Sequence, residues 1–145
     1  MATAGRERGS IITMMHFIID GYNLIGRQKG LRGDIESRRE RLIEDLSRYQ
    51  QVTGHHVTVV FDGWRTGRES EHKEDVGGVS LIFSRRGERA DSVIARMAGE
   101  MACEIGSSWV AVTSYRELRK IIRDCGCTVI YAGEFEKRLN KALQV

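Results

Sequence analysis

The sequence has 145 residues, of which 41% are hydrophobic and 30% charged, and its formal net charge is +3. This is the composition of an ordinary globular domain that can bury a core, and the small net charge does not by itself indicate a nucleic-acid partner. No apolar run approaches the roughly 18–20 residues of a membrane span, and three cysteines without a signal segment argue against a secreted disulfide scaffold. We therefore expect a cytoplasmic protein with no membrane association.

The first 14 residues (MATAGRERGSIITM) are small, polar and basic, without a clear period. They lack the apolar core of a signal peptide. We interpret residues 1–14 as a disordered N-terminal arm and residues 15–145 as a single domain. The sequence leaves the oligomeric state open.

The rest of the chain alternates apolar runs with helical stripes of apolar residues. In chain order the pattern predicts a strand over 16–20, a helix over 35–51, a strand over 57–62, a polar loop or small hairpin over 63–78, a strand over 79–84, a helix over 90–105, a strand over 109–113, a helix over 115–125, a strand over 128–131 and a helix over 134–143. Helices between nearly continuous apolar strands require crossover connections. We therefore expect an α/β fold with a mostly parallel five-stranded sheet and helices on both faces.

Acidic residues follow the predicted strands. Asp20 ends the first strand, Asp62 ends the second, and Asp91 opens the helix after the third, with Glu88 three residues earlier. A single acid in such a place is often a helix cap. Ligands of open parallel sheets, however, bind outside the carboxyl ends of the strands, where all these acids should meet. Because clustered carboxylates repel one another unless a cation neutralises them, we expect a metal site.

The ligand type predicts the metal. Carboxylate and water oxygens suit Mg²⁺ or Mn²⁺, whereas no cluster of histidines or cysteines indicates zinc. Such a metal can activate water and stabilise charge on a phosphoryl group, as phosphodiester hydrolysis requires. Asn23 and Ser114, which follow the first and fourth strands, are candidates to orient the substrate. Arg85, Arg86 and Arg89 form a basic run beside these acids, and Arg85 and Arg86 are the candidates to hold a phosphate backbone, although such runs are often only solvated surface.

Other chemistries fit the sequence less well. No G-x-G-x-x-G or G-x-x-x-x-G-K-[ST] loop follows a strand, which argues against dinucleotide and nucleoside triphosphate cradles. No G-x-S-x-G elbow is present, which argues against a serine hydrolase.

Four segments together resemble the YacP-like branch of the NYN domain family, which belongs to the PIN-like nucleases. They are IDGYNLIG (19–26), TGHHVTVVFDG (53–63), GERADSVIARMA (87–98) and VTSYREL (112–118). The resemblance implies a PIN-like Rossmannoid fold and an endoribonuclease that depends on Mg²⁺ or Mn²⁺. It implies Asp20 and Asp91 as central metal ligands, with Asp62 and Glu88 as further acidic positions and Asn23 as the motif asparagine. RNA is the implied substrate, and the ribosome is an implied partner.

Two positions depart from the family's pattern. Tyr115 stands where the family commonly has an acid after the fourth strand, and Ser92 stands where it often has a second aspartate. Both changes remove negative charge, which predicts a weaker metal site or one completed by bound RNA. Two alternatives therefore stay open: a module that binds RNA or the ribosome without cutting, with Tyr115 stacked on a base, and an enzyme that acts on small phosphate substrates.

Overall fold

The computed structural model describes residues 14–28, 33–63, 69–101 and 108–144. Nearly all of the predicted arm and the last residues of the helix predicted over 90–105 lie outside the described residues. The division into an arm and one domain therefore stays a prediction.

Helices and strands alternate along most of the chain. The elements are strand β1 (His16–Asp20), helix α1 (Gly21–Arg27), helix α2 (Ile35–Thr53), strand β2 (His56–Phe61), strand β3 (His72–Val76), strand β4 (Val79–Phe83), helix α3 (Ala90–Met101), strand β5 (Trp109–Val112), helix α4 (Arg116–Asp124), strand β6 (Thr128–Ile130) and helix α5 (Ala132–Leu143). No helix in the described ranges is both long and apolar enough to cross a membrane.

The strands form one sheet in the order β3-β4-β2-β1-β5-β6. All neighbouring strands are parallel except β3, which runs antiparallel to β4 at the edge. The predicted mostly parallel α/β sheet is confirmed, but it has six strands rather than five. The sixth is β3, whose polar sequence HKEDV lies in the segment predicted as a polar loop or small hairpin. It pairs with β4 through its backbone, and four of its five residues are exposed.

Two apolar layers cover the sheet because side chains alternate along each strand. On one face, Phe17 and Ile19 of β1 pack in a cluster with Leu46 of α2 and Phe135 of α5. On the other face, Ile18 of β1 packs in a cluster with residues of α3 and α4, including Ile94 and Ile122. Burying each such side chain contributes about 1.5–3 kcal/mol, so the layers hold the strand ends in fixed positions.

The order in which strands are added to the sheet changes direction at β1. Strands β2 and β4 are added on one side of β1, and β5 and β6 on the other. Such a switch point leaves a crevice at the carboxyl ends of the strands, which is where ligands of doubly wound sheets bind. The functional site is therefore expected where β1, β2 and β5 end.

Helix α1 begins directly at the end of β1 because Gly21 lies against the ring of Phe61. A Cβ atom at residue 21 would be 2.3 Å from Cε1 of Phe61, which is fully buried. Glycine alone allows the first turn of α1 to approach β2 this closely. The close approach places Asp20, Asn23 and the end of β2 around the same crevice.

A candidate carboxylate site at the ends of three strands

A cavity of about 150 Å³ opens at the carboxyl end of the sheet. Three predicted metal ligands line it: Asp20 at the end of β1, Asp62 directly after β2, and Asp91 in the first turn of α3. The lining is completed by Asn23, Arg89, Ala90 and Tyr115. Strands that are far apart in the sequence thus bring the three aspartates and Asn23 together, as their positions after the strands predict.

Asp20 is the most strongly perturbed acid of the site. Burial raises the pKa of Asp20 to about 6, and the negative charges of Asp62 and Asp91 act in the same direction. A hydrogen bond of 3.2 Å from the hydroxyl of Thr113 and the nearby backbone amide of Asn23 oppose this rise in pKa. A bound cation would relieve the same repulsion by favouring the charged carboxylate.

Asp62 joins the end of β2 to the start of α3. Its Oδ1 accepts a short hydrogen bond from the backbone N–H of Ala90, the first residue of that helix. The bond satisfies one of the four N–H groups that lack a partner at a helix N-terminus. Only one of the two carboxylate oxygens makes this bond, and Asp62 is among the residues that line the cavity.

Asp91 carries a buried oxygen without a hydrogen bond. Its Oδ1 has no hydrogen-bond partner among the described residues, although Nε of Arg89 lies 3.3 Å away and forms an ion pair with it. An unsatisfied buried acceptor costs free energy, so each one in a folded protein calls for an explanation. A cation that binds during function is one such explanation.

Asn23 and Ser114 connect the elements around the cavity. Oδ1 of Asn23 accepts a hydrogen bond of 2.8 Å from the backbone N–H of Ser114. The hydroxyl of Ser114 in turn accepts one of 3.1 Å from the backbone N–H of Ala132, at the start of α5. Asn23 lines the cavity, whereas Ser114 is not among the lining residues. The contacts described for Ser114 are structural, and its predicted contact with substrate stays a prediction.

The remaining predicted residues lie beside the carboxylates. Glu88 is outside the cavity lining and pairs with Arg96 of α3, with 3.0 Å between Oε2 and Nη1. Arg85 and Arg86 line a neighbouring cavity of about 450 Å³, and Arg89 borders both cavities. The structure therefore separates the acids into a central trio and a peripheral Glu88 that is neutralised by an arginine.

Sequence reasoning included Arg89 only in a basic run that could hold a phosphate backbone, and it did not assign Thr113 to the site. Arg89 pairs with Asp91, and its guanidinium lies 5.4 Å from the centre of the Tyr115 ring. Thr113 directly follows β5 and donates to Asp20. Arg89 directly precedes the Ala90-Asp91 pair, a signal that could have found it, but the contact of Thr113 depends on the register between β1 and β5.

The site fits a small hard dication in part. Within the described ranges, no group of three or more His, Cys, Asp or Glu side chains is arranged to hold a metal ion by itself. Mg²⁺, however, usually keeps several waters and binds through one or two carboxylates together with substrate phosphates. The charge repulsion at Asp20 and the buried oxygen of Asp91, which has an ion pair but no hydrogen bond among the described residues, fit this second kind of site.

Comparison with known proteins supports the interpretation of the motifs. The model of the YacP-like NYN domain matches residues 17–144. The uncharacterised protein YacP of Bacillus subtilis (strain 168) is 33% identical over 104 residues, which are 69% of this chain and 61% of that protein. This chain thus matches about three fifths of the length of that curated relative.

Two crystal structures of Rae1 (YacP) from Bacillus subtilis share the fold. A point mutant of Rae1 is 28% identical with a TM-score of 0.73, covering 90% of this chain and 78% of that chain. A second Rae1 structure is 27% identical with a TM-score of 0.71, and the match covers 88% of this chain and 75% of that chain. These likenesses and the family match confirm the resemblance seen in the motifs: the chain belongs to the family of YacP-like NYN domains, a PIN-like nuclease family.

Proposed function

We propose that this protein is an endoribonuclease that hydrolyses RNA phosphodiester bonds with the help of Mg²⁺ or Mn²⁺. The observation that carries the proposal is the meeting of Asp20, Asp62 and Asp91 around one cavity, where the first has its pKa raised by burial and by the other two. Three acids around one cavity, two at strand ends and one in the first turn of α3, are costly for the fold unless they bind a cation or take part in a reaction. The family match supports the same reaction class.

Each acid has a distinct role in this proposal. Asp20 and Asp91 would hold the metal, and Asp62, anchored to α3 through one oxygen, would use the other to support the metal or to orient the attacking water. A dication held there would lower the pKa of bound water and stabilise negative charge on the phosphate. In the reaction, the water oxygen forms a bond to phosphorus, one P–O ester bond breaks, and the leaving oxygen takes a proton.

The arginines beside the acids suit a phosphate backbone. The side chains of Arg85 and Arg86 are 66% and 62% exposed and lie in the segment between β4 and α3. Cations there would hold RNA without reading its sequence. Action on ribosome-associated mRNA and a cytoplasmic location belong to the same proposal, and the oligomeric state stays open.

The test is cleavage of a single-stranded RNA with and without Mn²⁺. Asp20→Asn and Asp91→Asn should each abolish the metal-stimulated cleavage while the protein keeps its circular dichroism spectrum. Asp124→Asn is the matched control, because Asp124 is exposed at the far end of α4 and pairs only with Lys120 among the contacts described. Cleavage that survives both active-site changes, or that is unaffected by EDTA, would contradict the proposal.

A second function is favoured by Tyr115, which is 36% exposed in the lining where the family commonly has an acid. Its ring could stack on a base, worth about 1–3 kcal/mol, in a module that binds RNA or the ribosome without cutting it. Metal distinguishes the two functions. The binding module predicts RNA binding that Tyr115→Ala weakens, no cleavage, and no rise in melting temperature with millimolar Mn²⁺.

A further inference from the structure

Arg89 lies between the acidic cavity and the cavity lined by the other arginines. It borders both, and its side chain is 67% exposed. Its Nε is 3.3 Å from Oδ1 of Asp91, and its guanidinium lies over the ring of Tyr115. The hydroxyl of that tyrosine donates a hydrogen bond of 3.0 Å to Oε1 of Glu117.

This arrangement places a cation on the oxygen that a metal would need. Oδ1 of Asp91 is buried and lacks a hydrogen bond, so the nearby charge of Arg89 is what compensates it among the described residues. A dication that approached Asp91 would be repelled by the guanidinium. The side chain has room to respond, because most of it is exposed and the neighbouring cavity of about 450 Å³ adjoins it.

The cation–π contact of Arg89 with Tyr115, at 5.4 Å from the ring centre, is weak enough to be reversible. Cation–π contacts at exposed positions are marginal interactions, and a guanidinium keeps its charge and its phosphate-binding geometry when it leaves the ring. In the neighbouring cavity it would join Arg85 and Arg86, which lie 3.9 and 3.8 Å from carboxylate oxygens of Glu88 and Glu69. Arg89 would therefore be the third guanidinium there, against two carboxylates. The Arg89 side chain can therefore pair with Asp91 in one position and with a phosphate in the other.

We propose that Arg89 is an exchangeable counter-ion of this site: it neutralises Asp91 in the metal-free protein and turns to an RNA phosphate when a dication takes its place. The proposal rests on the metal-dependent RNA cleavage proposed above and adds a residue that couples the two ligands. Metal and RNA then favour each other, because metal releases Arg89 for the phosphate and the phosphate keeps Arg89 away from the metal.

The test separates metal binding from RNA binding. Mn²⁺ affinity is measured without RNA, by electron paramagnetic resonance of free Mn²⁺, and the KM for single-stranded RNA is measured at saturating Mn²⁺. Arg89→Gln should bind Mn²⁺ about three- to tenfold more tightly, because a repelling charge is gone, whereas its KM for RNA should rise several-fold. Opposite shifts in the two affinities would not follow from a merely structural role.

Three further variants make the result specific. Arg89→Met, a second neutral change, should behave as Arg89→Gln does, and Arg89→Lys should keep a Mn²⁺ affinity close to that of the unchanged protein. Arg123→Gln removes the same charge from an exposed site in the last turn of α4 and should change neither affinity.

The outcomes distinguish the two proposals. Mn²⁺ affinity that is unchanged or weaker in both neutral variants, with RNA cleavage retained, would overturn the role of Arg89 and leave the nuclease intact. If neither the unchanged protein nor the neutral variants bind Mn²⁺ or cleave RNA, both proposals fail.

Discussion

The hydroxyl of Thr113 donates a hydrogen bond of 3.2 Å to Oδ2 of Asp20, and so connects the residue after β5 to the last residue of β1. The same hydroxyl accepts a bond of 3.1 Å from the backbone N–H of Tyr115. Because a threonine hydroxyl has only one proton, accepting from Tyr115 leaves that proton for Asp20. The loop after β5 therefore orients the acid with the raised pKa.

Replacing Thr113 with valine should remove this orientation. Thr113→Val loses a hydrogen bond to a charged group, so the free energy of unfolding at pH 8 should fall by about 1.5–3 kcal/mol, and the pKa of Asp20 should rise because a contact that lowers it is gone. At pH 4.5, where Asp20 is mostly protonated, the loss should be smaller. Urea denaturation at both pH values measures the two losses, and Thr113→Ser is the control because it keeps the hydroxyl. Equal losses at the two pH values would contradict a hydrogen bond from Thr113 to the charged carboxylate of Asp20.

Asp20 should make the metal-free protein less stable as the pH rises. The pKa of Asp20 is about 6 in the folded protein and about 3.9 in an unfolded chain. Between these two pKa values the folded state binds more protons than the unfolded state, so the free energy of unfolding falls as the pH rises from 4 to 6. Above pH 6 the contribution of Asp20 to the free energy of unfolding stays constant.

Asp20→Asn removes this dependence. In EDTA at pH 7.5 the variant should be more stable than the unchanged protein by about 2–3 kcal/mol, and the difference should shrink toward zero at pH 4. Denaturation curves of both proteins at several pH values measure this difference. The two proteins share all other titratable groups, so the contributions of those groups cancel in the difference. A variant that is less stable than the unchanged protein at pH 7.5 would contradict the claim that the charged Asp20 carboxylate destabilises the folded state.

Asp62 is expected to have a structural role that can be separated from its chemistry. Both Asp62→Asn and Asp62→Ala remove the charge, but only asparagine keeps an oxygen that can accept from the N–H of Ala90. The alanine variant should therefore be less stable than the asparagine variant by about 1–2 kcal/mol, measured by thermal or chemical denaturation. Both should lose metal-stimulated cleavage, and equal stability of the two would argue against the helix contact.

Two glycines of α1 should respond oppositely to alanine. At residue 21 a Cβ would overlap the buried ring of Phe61, whereas nothing lies within 4 Å of a Cβ at residue 26. Gly21→Ala should destabilise the protein by about 1–3 kcal/mol, and Gly26→Ala should stabilise it by up to about 1 kcal/mol, since alanine is the better helix former. Melting temperatures of the pair provide the measurement, and similar shifts would contradict the close approach of α1 to β2.

The apolar strands and the acids that follow them could be predicted from sequence because both signals are local. The runs that form β1, β2 and β4 are β-branched or aromatic, and parallel strands carry Asp20 and Asp62 to one edge by geometry alone. To predict that Asp91 belongs to the site, the start of a helix at that position had to be inferred as well.

The missed features depend on contacts between distant parts of the chain. Helix α1 is only seven residues long, too short for its buried Leu24 and Ile25 to show a helical period in the sequence, and its position depends on Phe61. The contact of Thr113 with Asp20 joins residues 93 positions apart. Glu88 has the same local pattern as a ligand, but in the structure it lies outside the lining of the acidic cavity and pairs with Arg96 and Arg85.

Strand β3 has a consequence for the solution behaviour of the protein. It covers β4, in which Leu81, Ile82 and Phe83 are buried, and β4 would otherwise be the edge of the sheet. An exposed apolar edge strand is a template on which other chains can add strands and aggregate, whereas a short edge strand with charged side chains resists this. With exposed residues such as Lys73, Glu74 and Asp75, the polar strand that the apolar pattern did not reveal protects the apolar strands from self-association.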